Sequence, residues 1–174
     1  PSGTVFITGG SSFSADFGGG PLVSAGIRDV FVAKYAPGGV HLWSRRFGST
    51  GVEDGCCVAT DASGNVFVTG FFAGTVDFGG GPLVSAGGVD IFLAKYSPSG
   101  VHLWSRRFGD YETDGGSGLA TDMAGNVFVS GSFVGTVDFR GGPLVRVAGY
   151  PWDPTADAFV AEFSPEGSHL WSRR

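Results

Sequence analysis

The chain is poor in charged residues and carries a net negative charge, and each property argues against a class of protein. Charged residues make up 16% of the 174 residues and hydrophobic residues 42%, which excludes a disordered chain, because disorder combines low hydrophobicity with high charge. The net charge of −5 argues against a nucleic-acid partner, because phosphate binding needs a basic surface. No apolar run approaches the roughly 20 residues of a membrane-spanning helix, so we expect no membrane insertion.

The chain is also poor in cysteine and in segments with a helical period. Cysteine occurs only as the adjacent pair Cys56 and Cys57, which excludes a disulfide framework. A disulfide between neighbours is strained, so we expect two small buried thiols. No segment has a sustained helical period. Glycine (32 residues) and phenylalanine (16 residues) are abundant instead, and this composition favours strands and tight turns.

One motif of about sixty residues occurs three times. An apolar segment flanked by glycine recurs at 3–9, 64–70 and 125–131, a spacing of 61 residues in both intervals. The sequence His-Leu-Trp-Ser-Arg-Arg recurs at 41–46, 102–107 and 169–174. Its last interval is six residues longer, so the third copy carries an insertion within 146–156. Such a period indicates a repeat architecture.

The strands of the repeat differ in polarity in a regular order. In the middle of the chain we predict strands at 65–72, 90–96, 101–108 and 115–122. The last of these consists of small residues, the first two are apolar on both faces, and 101–108 mixes apolar and charged residues. Strands with two apolar faces are buried on both sides, and four-stranded sheets repeated radially form a propeller. We therefore predict an all-β fold, a β-propeller of four-stranded antiparallel blades with about three blades in this chain, over the alternative of a β-solenoid.

The repeat boundaries divide the chain into three predicted blades. These are 1–48, which lacks its inner strand, 49–109, and 110–174, which carries the six-residue loop insertion. Propellers close with typically four to eight blades, so three do not close alone. The expected partners are therefore further blades of a longer chain, or other copies of the chain in a closed ring or in a filament joined through strand edges.

The motifs of the third repeat resemble a known family. The segment Asp122-Met-Ala-Gly-Asn-Val-Phe-Val-Ser-Gly131, followed by Asp157-Ala-Phe-Val-Ala and Ser168-His-Leu-Trp-Ser172, is similar to the bacterial β-propeller repeats called SBBP repeats. The resemblance extends over essentially the whole chain, and its residues are structural. It implies binding and display in secreted or surface proteins of myxobacteria and their relatives, and it provides no catalytic residues. An extracellular or cell-surface location is implied by this resemblance alone.

The repeated polar residues favour structural roles. The histidines 41, 102 and 169 hold one repeat position, and equivalent outer positions of different blades lie too far apart to share a metal ion. The repeated arginine pairs, such as Arg106–Arg107, are expected to cover aromatic edges and to pair with carboxylates, rather than to form a rim for polyanions. Asp61 and Asp122 are expected to cap turns rather than to bind calcium. We therefore expect no metal, no cofactor and no catalytic residue.

Residues that break the repeat are the predicted binding site, because scaffold positions are constrained to repeat and binding positions are not. The predicted site is a loop on one propeller face, made of Tyr150, Trp152, Asp153, Arg146 and Arg140. Aromatic and arginine anchors are enriched at interfaces.

Three functional classes remain open. The first is a non-catalytic binding or scaffolding module of an extracellular or cell-surface bacterial protein, with protein or glycan contacts through inter-strand loops. The second is a self-assembling structural subunit. The third, and least favoured, is a propeller hydrolase or lyase, since no unique constellation of catalytic groups stands out.

Overall fold

Each repeat folds into an antiparallel sheet in the structure, a computed structural model that describes residues 3–147 and 155–174. These residues form strands joined by turns, with no helix among them. The strands are β1 (Val5–Ser11), β2 (Ser14–Asp16), β3 (Pro21–Val23), β4 (Asp29–Tyr35), β5 (His41–Phe47), β6 (Glu53–Thr60), β7 (Val66–Asp77), β8 (Pro82–Tyr96), β9 (His102–Phe108), β10 (Asp114–Thr121), β11 (Val127–Phe133), β12 (Thr136–Asp138), β13 (Pro143–Val145), β14 (Asp157–Phe163) and β15 (His169–Arg173).

Three sheets follow one another along the chain in a shared strand order. The first sheet has the order β1-β4-β5, the second β6-β7-β8-β9, and the third β10-β11-β14-β15. Two-stranded hairpins connect two pairs of these strands: β2-β3 lies between β1 and β4, and β12-β13 lies between β11 and β14. The predicted all-β class with propeller-like antiparallel sheets is confirmed. The predicted blade boundaries stay a prediction.

Alternating residues of the middle strands serve two separate cores. On β7, Val66 and Val68 pack with Val30 of the first sheet, in a cluster we call the first core. Phe67, which lies between them, packs with Val129 of the third sheet in the second core. Successive side chains of a strand point to opposite faces, so one apolar run fills both cores. This is why the middle strands are apolar on both faces.

The segment 73–89, between two of the predicted strands, forms a hairpin. In the second sheet, β7 continues through Asp77 and pairs with the first half of β8. The turn between them is held by Asp77, whose Oδ1 accepts hydrogen bonds from the main-chain N–H groups of Gly79 at 2.6 Å and Gly81 at 3.0 Å. Residues 75–77 of this segment therefore continue β7.

Neighbouring sheets are also joined by a polar contact that repeats. The Nζ of Lys34 and the Nε1 of Trp43 in the first sheet donate to the carbonyl of Pro98 in the second, at 2.7 and 3.2 Å. In the same way, the Nζ of Lys95 and the Nε1 of Trp104 donate to the carbonyl of Pro165, at 2.9 and 3.0 Å. The turn of each sheet thus covers the tryptophan of the preceding sheet.

The repeated histidines have the structural role expected of them. His41 Nε2 lies 3.1 Å from Ser44 Oγ, and the same pair recurs in the second and third sheets. The His41 ring also makes an edge contact with Tyr35, at 5.8 Å between ring centroids. Each histidine therefore packs within its own sheet.

The cysteines contradict the expectation of two buried thiols. Both are free, Cys56 is exposed and Cys57 is half-buried. The cause is an irregularity in β6, where the pairing with β7 skips Cys56 between Gly55 and Cys57. A bulge of this kind leaves one residue outside the ladder and turns the strand locally.

Candidate functional site

The predicted loop site is described in part. Tyr150, Trp152 and Asp153 lie outside the described residues, so their part of the site stays a prediction. Arg146 is half-buried beyond the end of β13, and its main-chain N–H donates to the carbonyl of Gly135 at 2.9 Å. Arg140 is exposed in the turn between β12 and β13.

Arg140 has a backbone conformation that favours glycine. Its φ is 77°, and Gly18 and Gly79 hold the equivalent positions with φ of 103° and 112°. The turn is the same in each repeat, since Asp138 Oδ1 accepts from the N–H groups of Arg140 at 2.6 Å and Gly142 at 3.2 Å. A left-handed conformation costs a residue with a Cβ about 1–2 kcal/mol. Arg140 is the one non-glycine residue with positive φ among those described.

Arg106 of the second sheet lies close enough to Arg140 for their charges to interact. In the preceding repeat, the equivalent residues Arg45 and Gly79 line one cleft of about 190 Å³ between the first and second sheets. Arg106 and Arg140 occupy the matching places between the second and third sheets. The pKa of Arg106 is lowered, first by burial and then by the positive charge of Arg140. We call this pair of guanidinium groups the arginine cleft.

The arginine cleft has an aromatic wall. The guanidinium carbon of Arg106 lies 5.8 Å from the ring centroid of Trp104, and its Nε donates to the carbonyl of Gly167 at 3.4 Å. Its neighbour Arg107 instead pairs with Asp90, at 2.5 Å between Nη1 and Oδ2. Covering an aromatic edge and pairing with a carboxylate are the two roles expected of these arginines, and both are confirmed.

Among the described residues, neither guanidinium of the arginine cleft has a carboxylate partner. Within residues 3–147 and 155–174, the ion pairs involve other cations: Arg28–Asp54, Arg46–Asp29, Lys95–Asp61, Arg107–Asp90 and Arg174–Asp157. Guanidinium groups bind carboxylates and other oxyanions through paired hydrogen bonds. Two guanidinium groups whose charges interact, and which have no carboxylate partner among the described residues, therefore suit an anionic group.

The remaining polar candidates are accounted for by local structure. Asp61 Oδ1 accepts from the N–H groups of Ser63 at 3.0 Å and Asn65 at 2.9 Å, and Asp122 caps its turn in the same way through Asn126. The turn-capping role expected of both is confirmed. In the described part of the chain, no three His, Cys, Asp or Glu side chains are arranged to hold a metal ion. Likewise, no helix there has the length and apolarity of a membrane span.

Sequence analysis predicted Arg140 as a site residue but did not predict Arg106. The signal for Arg140 is its replacement of a repeated glycine. Arg106 is identical in all three repeats, so nothing in the sequence marks it out, and its proximity to Arg140 follows only from how the second and third sheets pack.

Comparison with known proteins agrees with this architecture. Residues 103–132 match the SBBP β-propeller repeat. The resemblance expected from the motifs is thus confirmed over residues 103–132, which include Trp104 and Arg106 of the arginine cleft. The chain is also 26% identical, over 156 residues, to an uncharacterized WD repeat-containing protein of Acanthamoeba polyphaga mimivirus. That match covers 75% of this chain and 11% of the relative, so the chain spans about a tenth of the relative's length.

Proposed function

We propose that this chain is a non-catalytic binding and scaffolding module of an extracellular or cell-surface bacterial protein, which contacts a protein or a glycan through its inter-strand loops. The observation that carries the proposal is the arginine cleft, where Arg140 sits in a strained turn beside Arg106. The location rests on the resemblance to SBBP repeats.

Two unfavourable features of the arginine cleft support a ligand. The left-handed conformation of Arg140 costs about 1–2 kcal/mol relative to the glycine of the other repeats. The positive charge of Arg140 also repels that of Arg106. Strained residues persist where function requires them, and an anion between two guanidinium groups removes their repulsion. The ligand therefore carries a carboxylate, sulfate or phosphate group.

The test compares two anionic probes and three variants. A sulfated oligosaccharide and a glutamate-rich peptide are titrated into the protein by isothermal calorimetry. We expect Arg140→Gly, which restores the glycine of the other repeats, and Arg106→Ala each to weaken binding about tenfold, because a charge-assisted hydrogen bond is worth about 1.5–3 kcal/mol.

Arg45→Ala is the matched control, since Arg45 holds the same repeat position in the cleft that lacks a second arginine. Its binding should equal that of the wild type. Failure of both probes to bind, or binding by Arg140→Gly equal to the wild type, would refute the proposed site.

A self-assembling structural subunit is the second candidate, and the outer faces of the first and third sheets favour it. Val5 and Ile7 of β1 are 51% and 36% exposed, whereas their equivalents Val66 and Val68 are buried in the first core. Phe128 of the third sheet is half-buried, whereas its equivalent Phe67 is fully buried. Each face matches the face that a neighbouring sheet covers elsewhere in the chain, so a second copy can supply the missing sheet.

Sedimentation of the purified chain and of Phe128→Asp tests this second candidate. Assembly through these faces predicts particles larger than one chain that dissociate in the variant. A folded wild-type monomer over the full concentration range contradicts it.

A further inference from the structure

Each contact between neighbouring sheets places a turn of one sheet on a tryptophan of the sheet before it. The carbonyl of Pro98 accepts from Trp43 Nε1 at 3.2 Å. In the next contact, the carbonyl of Pro165 accepts from Trp104 Nε1 at 3.0 Å. The glycine of the turn lies against the ring, since a Cβ on Gly100 would be 3.2 Å from ring atoms of Trp43. We call these two turns the covering turns.

The third sheet has the matching tryptophan on its outer face. The ring of Trp171 lies against Phe128, at 6.4 Å between centroids. In the second sheet, Trp104 lies against Phe67 at 6.0 Å. Among the described residues, no carbonyl accepts a hydrogen bond from Trp171 Nε1. Trp171 is therefore held like the other two tryptophans, but no covering turn lies on it.

The first sheet has the matching turn. This turn contains Pro37 and Gly39, and the N–H of Gly39 donates to the carbonyl of Ala36 at 3.0 Å, the bond that also closes the two covering turns. Gly39 is exposed, whereas its equivalent Gly100 is buried. The first and third sheets thus carry the two complementary parts of one contact, and each part is uncovered by the described residues.

We propose that the outer face of the third sheet binds the Pro37 turn of a second copy of this chain, so that copies join head to tail. This continues the series of contacts already established between the first and second and between the second and third sheets. It rests on the second candidate function, the self-assembling subunit, and names the residues in contact. Because the two faces differ, the interface is heterologous, and a closed ring or a filament follows from it.

The third sheet lacks one donor of this contact. Glu162 holds the place of Lys95, whose Nζ donates to the carbonyl of Pro165 at 2.9 Å. A carboxylate accepts hydrogen bonds and cannot donate one to a carbonyl oxygen. The contact between copies is therefore weaker than the contacts between sheets, and Glu162→Lys should strengthen it.

The turn of the first sheet also differs from the covering turns. Gly38 has a φ of 87°, whereas Ser99 and Glu166 hold the same place without a positive φ. A positive φ there distinguishes a type II turn from a type I turn, and the two types point the preceding carbonyl to opposite sides. The peptide after Pro37 must therefore rotate before its carbonyl can accept from Trp171. Gly38→Ser favours the rotated form, because a left-handed conformation is unfavourable for a residue with a Cβ.

The experiment compares the association of the wild type, Glu162→Lys and Gly38→Ser by sedimentation velocity over a range of concentrations. Each substitution restores the residue of the second repeat. We expect each to lower the dissociation constant between copies about tenfold, because the first adds a charge-assisted hydrogen bond and the second forms the turn in advance. Adding Trp171→Phe to Glu162→Lys removes the indole donor and should weaken association by about fivefold.

Glu166→Lys is the matched control, since it makes the same charge change at an exposed position of the same sheet. It should leave association unchanged. Equal strengthening by Glu166→Lys and Glu162→Lys would overturn the contact, because net charge would then explain the effect.

The outcomes separate this contact from self-assembly itself. A wild type that assembles, with no strengthening by either substitution, keeps the self-assembling subunit and overturns the contact. A monomeric wild type with assembly of either variant supports the contact and contradicts self-assembly of the unaltered chain. Monomers in all three cases overturn both.

Discussion

The contact between the second and third sheets should weaken as pH rises, because of Asp114. This residue begins β10, is fully buried, and accepts hydrogen bonds from the N–H groups of Asp110 and Val134, both at 3.1 Å. Burial is the main cause that raises its pKa to about 6, and the charges of Asp110 and Asp90 add to the effect. Asp90 belongs to the second sheet and is itself fully buried. Both carboxylates lie within 2.8 Å of the point that a Cβ on Gly109 would occupy.

The size and sign of the effect follow from the pKa of Asp114. The pKa rises from an unfolded value of 3.8 to about 6, and each pKa unit corresponds to about 1.4 kcal/mol, so the full effect is about 3 kcal/mol. Because the folded-state pKa is raised, the folded state favours the protonated acid. The stabilisation is therefore complete below about pH 4 and is lost as pH rises through about 6.

Asp114→Asn removes this titration. The assay is urea unfolding followed by tryptophan fluorescence, at several values between pH 4 and pH 8, for the wild type and the variant. The amide replaces one hydrogen-bond acceptor by a donor, which changes the free energy of unfolding by the same amount at every pH. The informative quantity is therefore how the difference in unfolding free energy between the wild type and the variant changes with pH. The stability of the wild type relative to Asp114→Asn should fall by about 3 kcal/mol across this range. A difference that stays constant within about 0.5 kcal/mol would refute the reasoning.

Four further substitutions test the packing. Tyr96→Phe removes a buried hydroxyl that donates to a main-chain carbonyl at 3.0 Å, and it should lower the free energy of unfolding by about 1 kcal/mol in urea titrations; no change would show that the bond contributes nothing. Arg140→Gly should raise the melting temperature, because it relieves about 1 kcal/mol of backbone strain, and a lower melting temperature would contradict the strain. Phe67→Ala should lower the free energy of unfolding by about 3–5 kcal/mol. Phe128→Ala, at the same repeat position on the outer face, should lower it by half of that or less. Equal losses in denaturant titrations would mean that the outer face is covered.

The strand order was predictable because burial imposes a pattern on the sequence. Val66, Phe67 and Val68 form one apolar run, and a run that fills two cores reads differently from a strand with one face in water. The repeat then extends the assignment from one sheet to the others. The turns capped by Asp61 and Asp122 were predictable in the same way, since their glycines recur at fixed distances.

The features that sequence reasoning missed depend on pairing between strands. The bulge at Cys56 exists because Gly55 and Cys57 keep their partners on β7, and nothing in the local sequence requires it. The arginine cleft is similar, since Arg106 and Arg140 belong to different sheets and meet through the packing of those sheets. The local sequence pattern therefore predicts the strands and turns, whereas the candidate sites depend on how the sheets pack against one another.

The most direct test of the arginine cleft is an NMR titration of the arginine side-chain N–H signals with sodium sulfate. Sulfate is one of the anionic groups that the proposed ligand carries. The proposed function predicts saturable shifts of the Arg106 and Arg140 signals at sulfate concentrations that leave Arg45 unchanged. Equal shifts at Arg45, or shifts that rise linearly without saturation at all three residues, would contradict it.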